Sequence, residues 1–321
     1  MTTNQPAAPP AGPVLGVDVG GTLIKAAAVA ADGEVVARLE RPTPPARDPD
    51  TVLSAVGSVV ETLRAQVPDR VEALGVAVPG IIDEARGVAV MAANLGWRDT
   101  PVADLLSAAT GLPVALGHDV RAACVAEWRL GVAKGGSDVL LATLGTGIGA
   151  GVVSGGRLLV GSGYAGQLGH TVVDPDGQRC SCGQRGCLAT IASATAVVRR
   201  YAERTGGAEH PDGTPALSAR DVAQRARAGD PAAAAVWADA VGALGRSLAI
   251  AVTVFGSELV VLGGGLALAG DQLIGPVQDS LDEWLTFQRR PRVVRAAMGA
   301  ESGVLGAALL GRAALEETPV T

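Results

Sequence analysis

Aromatic side chains are nearly missing: Phe, Tyr and Trp together make up 2% of the chain. Proteins that hold single-stranded nucleic acid without sequence preference stack its bases on aromatic faces, so this composition argues against that mode. Positive charge is not in excess either. The formal net charge is −6, and no basic stripe runs through the sequence, which argues against a nucleic-acid partner. No uninterrupted apolar run reaches about 18 residues, so no membrane span is expected. The opening MTTNQPAAPPAGP has neither a positive region nor an apolar core. Residues 1–12 therefore read as a disordered Pro/Ala tail and not as a signal peptide. Cysteine is scarce, four in 321 residues. A reduced, cytoplasmic setting is the expectation.

Glycine, by contrast, is abundant at 44 residues, much of it in short clusters of the kind that build binding loops from backbone. A chain of this length with 48% hydrophobic residues exceeds the size at which single cores divide, and predicts two globular domains.

Three of the four cysteines, Cys180, Cys182 and Cys187, fall in one stretch with His170. Three sulfurs and one imidazole match a tetrahedral Cys3His zinc set with no position left for water, so the metal is expected to be structural. The alternative is a pair of disulfides or free thiols. The density of the cluster in a cysteine-poor chain favours metal. The fourth, Cys124, sits in an Ala/Val-rich helical pattern and reads as a small core residue.

From Val14 to Val29 the chain reads as a hairpin: an apolar strand carrying Asp18, a Gly20-Gly21-Thr22 turn, then a second strand with Lys25. Such a turn lets a phosphate approach backbone N–H groups, and Asp18 is suited to a hydrated Mg2+. The residues after Asp50 show helical spacing to Gln66, and Val71–Val78 reads as a buried strand. A helix is expected through Leu105–Ala109 and a strand over Pro113–Leu116, ending at Gly117-His118-Asp119. Strands alternating with helices indicate an α/β domain with a partly parallel sheet. Asp119, just past a strand end, is placed for a general base; the competing reading is an N-cap for the helix DVRAACVAEWRLG, and both can hold together.

The stretch Asp138–Val153 echoes the opening, with Gly145-Thr146-Gly147 as its turn. A duplicated, hairpin-first domain follows, whose two turns would clasp a polyphosphate from both sides. Helices are expected over Ile191–Ala202 and Ala234–Val254. Thr205–Pro215, with His210, reads as a polar surface excursion. Leu259–Leu262 reads as a strand running into Gly263-Gly264-Gly265, which suits either an adenosine lying against backbone or mere close packing. Gly303–Leu310 reads as a packing helix.

Taken together, VDVGGT, LGTGIGAG, LGGG and above all the GxxGxxGH…CxCGxxGC region over 163–187 make the chain resemble the ROK sugar kinases, in particular their actinobacterial glucokinase-like members. The resemblance spans about Val14 to Ala314. It implies an actin-like (RNase H-like) duplicated two-domain fold with an interdomain cleft and a structural zinc knuckle. The domains it suggests are 13–117 plus 304–321, and 118–303. It implies an ATP-dependent kinase acting on a hexose hydroxyl, with ATP, Mg2+ and Zn2+ as cofactors, no nucleic-acid or membrane partner, and a homodimer or homotetramer. By position it implies Asp119 as the catalytic base, and Asn94, His118, Gln167 and His170 beside the sugar. Asp18, Gly20, Gly21, Thr22, Lys25, Gly145, Thr146, Gly147, Gly264 and Gly265 fall to the nucleotide and its Mg2+. His170, Cys180, Cys182 and Cys187 fall to zinc.

The chain departs from the family at three positions. His118 stands where the family usually has asparagine, Gln167 replaces the glutamate of the ExGH motif, and Ala189 replaces the glutamate after the last cysteine. The resemblance gives those glutamates hydrogen bonds to ring hydroxyls, so their loss points to an acceptor other than glucose, such as a modified sugar or a cyclitol. A second alternative is a non-catalytic sugar-binding protein of the same family.

Overall fold

The computed structural model describes residues 12–207 and 217–315; the expected tail, save Gly12, and His210 lie outside them. The described chain divides into two compact units: 12–126 with 160–164 and 301–315, and 127–159 with 165–300. The division departs from the expected boundaries at 117/118 and 303/304. Ala122 packs with Ala77, Ala307 and Leu310, so the start of the helix after Asp119 belongs to the first unit.

In the first unit, Val14–Val19 (β1), Leu23–Val29 (β2) and Val35–Pro42 (β3) form an antiparallel meander. The helix Pro49–Gln66 (α1) follows, capped by Asp48, which accepts the Thr51 N–H, with proline in its first turn. Val52, Val56, Val59, Val60 and Leu63 are its buried stripe, the spacing expected of one helix face. Leu74–Val78 (β4) is buried at every position, as a central strand covered on both faces must be.

Three short strands, Ile81–Asp83 (β5), Val88–Ala92 (β6) and Trp97–Thr100 (β7), then form a separate antiparallel sheet. Val102–Thr110 (α2), Val114–His118 (β8) and Asp119–Arg129 (α3) complete the first half of the chain. The main sheet has the order β3-β2-β1-β4-β8, with β1, β4 and β8 parallel.

The second unit repeats this order. Val139–Leu144 (β9) and Ile148–Ser154 (β10) form the second hairpin, edged by Arg157–Leu158 (β11). Ala189–Ala192 (α4) and Ala194–Thr205 (α5) replace the single helix expected over 191–202. Ser193 is extended and caps α5 by accepting the Ala196 N–H, which breaks the run. Ala219–Arg227 (α6) begins at a Ser218–Asp221 capping box.

Pro231–Phe255 (α7) is long and apolar enough to cross a membrane by length and composition, with mean hydropathy 1.5 over its most apolar window, 56% of which is buried. Its Val236, Leu244, Leu248 and Val252 belong to the core of this unit. Leu259–Gly263 (β12), Asp271–Trp284 (α8) and Arg292–Arg295 (β13) follow. The sheet order β11-β10-β9-β12-β13, with β9, β12 and β13 parallel, matches that of the first unit strand for strand.

The last helix, Ser302–Leu315 (α9), returns to the first unit. It lies so close to β4 that a Cβ at Gly75 would fall on the Ala307 carbonyl. Small residues on both sides therefore set this helix–sheet distance, as the sequence of α9 suggests.

Candidate active site

In the first unit the parallel strands β1, β4 and β8 end at one edge of the sheet, and the polar residues gather there. This is where open α/β sheets bind ligands. Gly20, Gly21 and Thr22 form the turn after β1. The Gly20 N–H closes the turn on the Leu23 carbonyl at 2.9 Å, and the Gly20 carbonyl accepts the Thr43 hydroxyl at 2.7 Å. Among the described residues the N–H groups of Gly21 and Thr22 have no partner, which leaves two donors for an anion.

Asp18 sits one residue before the end of β1, paired in register with Lys25. A Cβ at Gly303 would collide with its carboxylate. That crowding, with the charge of nearby Asp119, pushes the Asp18 carboxyl up to about 7 against the opposing pull of Lys25.

Asp119 opens α3 with its side chain 32% exposed. Its Oδ1 accepts the adjacent Val120 N–H at 2.7 Å. The capping position is filled instead by His118, whose Nδ1 receives the Arg121 N–H at 3.4 Å, so the reading of Asp119 as N-cap is corrected. His118 is buried, 5% exposed. Burial draws its pKa below the ordinary imidazole value, Arg121 adds to this, and Asp119 and Glu84 oppose it. Asn94 lies exposed in the turn between β6 and β7, where its carbonyl accepts Arg47 NH1 at 3.0 Å.

In the second unit Gly145-Thr146-Gly147 reproduces the first turn, with the Gly145 N–H on the Gly147 carbonyl at 2.9 Å. The Gly145 carbonyl accepts the Ala194 N–H, and Thr146 is held through its carbonyl by the Thr195 hydroxyl. Gly264, with φ +80, sits where a Cβ would meet the backbone of Leu144. Gly264 and Gly265 therefore adjoin the 145–147 turn, off the ends of parallel β9 and β12. Gln167 is exposed, and the segment it begins runs along β10, with the Ala150 N–H donating to Gly166 at 2.7 Å.

His170, Cys180, Cys182 and Cys187 converge, their ligand atoms all within 4.8 Å of one another. Cys180 Sγ lies 3.7 Å from His170 Nδ1 and Cys182 Sγ 3.7 Å from Cys187 Sγ, separations that suit the edges of a small tetrahedron with metal bonds of about 2.0–2.3 Å. As a free thiol Cys187 would be pushed up to about 12 by burial and the neighbouring sulfurs. A bound cation removes that penalty, so the donor set fits zinc.

The ROK family pattern matches residues 14–314. The chain belongs to the ROK family. It is 33% identical over 314 residues to a glucokinase of Streptomyces coelicolor, covering 94% of this chain and 98% of that one. It is 34% identical over 305 residues to an N-acetylmannosamine kinase of Citrobacter koseri, covering 93% and 98%. The solved ROK glucokinase of Streptomyces griseus, in complex with glucose and AMPPNP, superposes with a TM-score of 0.81 at 32% identity, covering 94% and 99%. The two-domain α/β sugar-kinase fold of the family is thus the fold of this ROK protein.

Sequence reasoning missed three residues of this ROK protein's first unit. Arg47 places its guanidinium about as far as van der Waals contact from a Cβ built at Gly21, 4.0 Å. Glu84 and Arg121 form a largely buried ion pair beneath α3, 2.8 Å apart. Arg121 carried a signal, as a lone charge in the apolar run between Asp119 and Glu127. Glu84 and Arg47 lie in loops and carried none.

Proposed function

We propose that this protein is an ATP-dependent carbohydrate kinase that transfers the γ-phosphoryl group to a hydroxyl of a hexose-class sugar. The observation that carries the reading is the edge of the first sheet. There a partly exposed carboxylate, Asp119, shares its surroundings with Asp18 and a glycine turn whose free N–H groups suit phosphate. Phosphoryl transfer needs positioning and neutralised charge more than covalent help.

Asp119 accepts the hydroxyl proton as the acceptor oxygen attacks phosphorus. In the first unit Gly21 and Thr22 supply backbone donors to phosphate, and in the second Thr146 and Gly147 offer the same kind of donor. Gly264 and Gly265 take the adenosine side. Asp18 would hold Mg2+, which neutralises phosphate charge when bound. Zinc on His170, Cys180, Cys182 and Cys187 would fix the loop that carries Gln167.

A coupled ADP-release assay over glucose, mannose, their N-acetylated amines and inositols tests this. Magnesium-dependent ADP formation with at least one acceptor is expected. Background rates with every acceptor would overturn the reading and favour a non-catalytic sugar-binding role.

A second reading concerns the acceptor. Gln167 keeps a neutral acceptor where the family has a charge, and Ala189, in the first turn of α4, offers none. A hydrogen bond to a charged group contributes about 1.5–3 kcal/mol and a neutral one about 0.5–1.5, so losing one outright at Ala189 and the charge at Gln167 weakens glucose by roughly two to three powers of ten. Relatives of similar identity include both glucokinases and N-acetylmannosamine kinases. The preferred acceptor is therefore a sugar modified near the anomeric end, or a cyclitol. Glucose as clearly the best acceptor in the same panel would refute it.

A further inference from the structure

Three segments distant in sequence meet under the first turn of α3. Arg121, two residues past Asp119, is 1% exposed. Its Nε donates to Glu84 Oε1 at 2.9 Å, and its NH2 lies 2.8 Å from the same oxygen. Its NH1 donates to the Gly163 carbonyl at 3.3 Å. Glu84 Oε1 also receives the main-chain N–H of His118 at 3.4 Å. One carboxylate oxygen thus holds both the residue before Asp119 and the residue two after it. A buried ion pair adds little net stability over apolar residues of the same size, so its use here points to geometry.

That geometry settles a tautomer. His118 Nδ1 accepts the main-chain N–H of Arg121, and a ring nitrogen that accepts carries no proton, which leaves the proton on Nε2. The bare Nδ1 lies 3.4 Å from Asp119 Oδ1. An ionised carboxylate gains nothing from a lone pair at that place. A carboxylic acid does, because its O–H can donate to that single lone pair in place of the Arg121 main-chain N–H.

We propose that Glu84 and Arg121 are positioning residues for Asp119: they hold His118 with Nδ1 unprotonated, so that the proton Asp119 takes from the acceptor hydroxyl is shared with that nitrogen. The inference rests on the kinase reading above. In the transfer step the acceptor O–H bond breaks and its oxygen bonds to the γ-phosphorus. The bond from that phosphorus to the bridging oxygen of ADP breaks, and the proton rests between Asp119 Oδ1 and His118 Nδ1. Asparagine, usual at this position, has no proton to gain; His118 makes the device titratable.

The charged and titratable groups facing His118 are Asp119, Arg121 and Glu84. Once His118 is protonated it can no longer accept from Asp119. The kcat of the wild type, at saturating Mg-nucleotide and acceptor, should therefore fall on the acid side of the ordinary imidazole value. Glu84→Gln removes a charge that favours the imidazolium and should move this limb to lower pH. Arg121→Gln removes an opposing charge and should move it to higher pH. His118→Asn, which keeps a capping side chain, should abolish it.

At pH 7 Glu84→Gln should lower kcat between about tenfold and a hundredfold through misplacement of the base, with KM for the nucleotide near that of the wild type. A merely structural pair would not give shifts of opposite sign. Should Arg121→Gln not fold, the Glu84→Gln/Arg121→Gln double variant restores neutrality, and its limb should return toward that of the wild type. Wild-type kcat and an unmoved limb in both Glu84→Gln and His118→Asn would overturn the proposal.

Imidazole 15N NMR separates this from failure of the kinase reading, since the chain has three histidines and His118→Asn assigns the resonance. A wild type inactive on every acceptor would sink the activity alone. An Nδ1-protonated His118 at pH 7, or a midpoint equal in wild type and Glu84→Gln, would sink the network.

Discussion

Asp18 offers a test that needs no substrate. Its carboxyl is raised from 3.8 to about 7 by burial and by Asp119. For an acid this direction means that the folded protein binds a proton the unfolded chain has already lost. Between about pH 4 and pH 7 the native state thus holds more protons, and stability falls as pH rises through that window. At about 1.4 kcal/mol per pH unit the full shift corresponds to about 4 kcal/mol of destabilisation at pH 8. Part of the side chain still reaches solvent, which screens the charge and brings the expectation to about 2 kcal/mol.

Asp18→Asn removes the charge and keeps the shape. Urea denaturation should find it about 2 kcal/mol more stable than the wild type at pH 8, with the gap closing by pH 4–5. Calorimetry of Mg-nucleotide binding in buffers of different ionisation enthalpy should show proton release by the wild type near pH 6, and none by Asp18→Asn. A stability difference that does not change with pH would refute the assignment of the raised pKa to this carboxyl.

Two further outcomes follow from the second unit. Purified protein should carry about one zinc by elemental analysis; Cys187→Ser or chelation should remove it and lower the melting temperature, and an unchanged melting curve after complete metal removal would dismiss a structural role. Restoring both glutamates, as Gln167→Glu with Ala189→Glu, should raise kcat/KM for glucose by about two powers of ten or more while lowering it for the native acceptor. No gain on glucose would separate these positions from specificity.

The two hairpins and their turns were legible because Gly-Gly-Thr and Gly-Thr-Gly interrupt otherwise continuous apolar runs, and the repeat of that pattern disclosed the duplication. Asp119 was legible because an acid directly after a buried strand is unusual. The β5–β7 sheet was not, since strands of three to five residues leave too few positions for alternation to register. Helix α6 was hidden by its polar composition. The Glu84–Arg121 pair spans 37 residues, a separation at which no local pattern speaks. Its consequence, that His118 and not Asp119 caps α3, shows only in the folded chain.

The central claim is that Asp119 takes a proton from a sugar-class hydroxyl during phosphoryl transfer. Single-turnover ADP formation by Asp119→Asn, with the best acceptor from the panel and nucleotide binding followed in parallel, measures it most directly. Binding of both ligands near wild-type strength with the rate reduced by about 10²–10⁴ or more is the predicted result; turnover at the wild-type rate would contradict it.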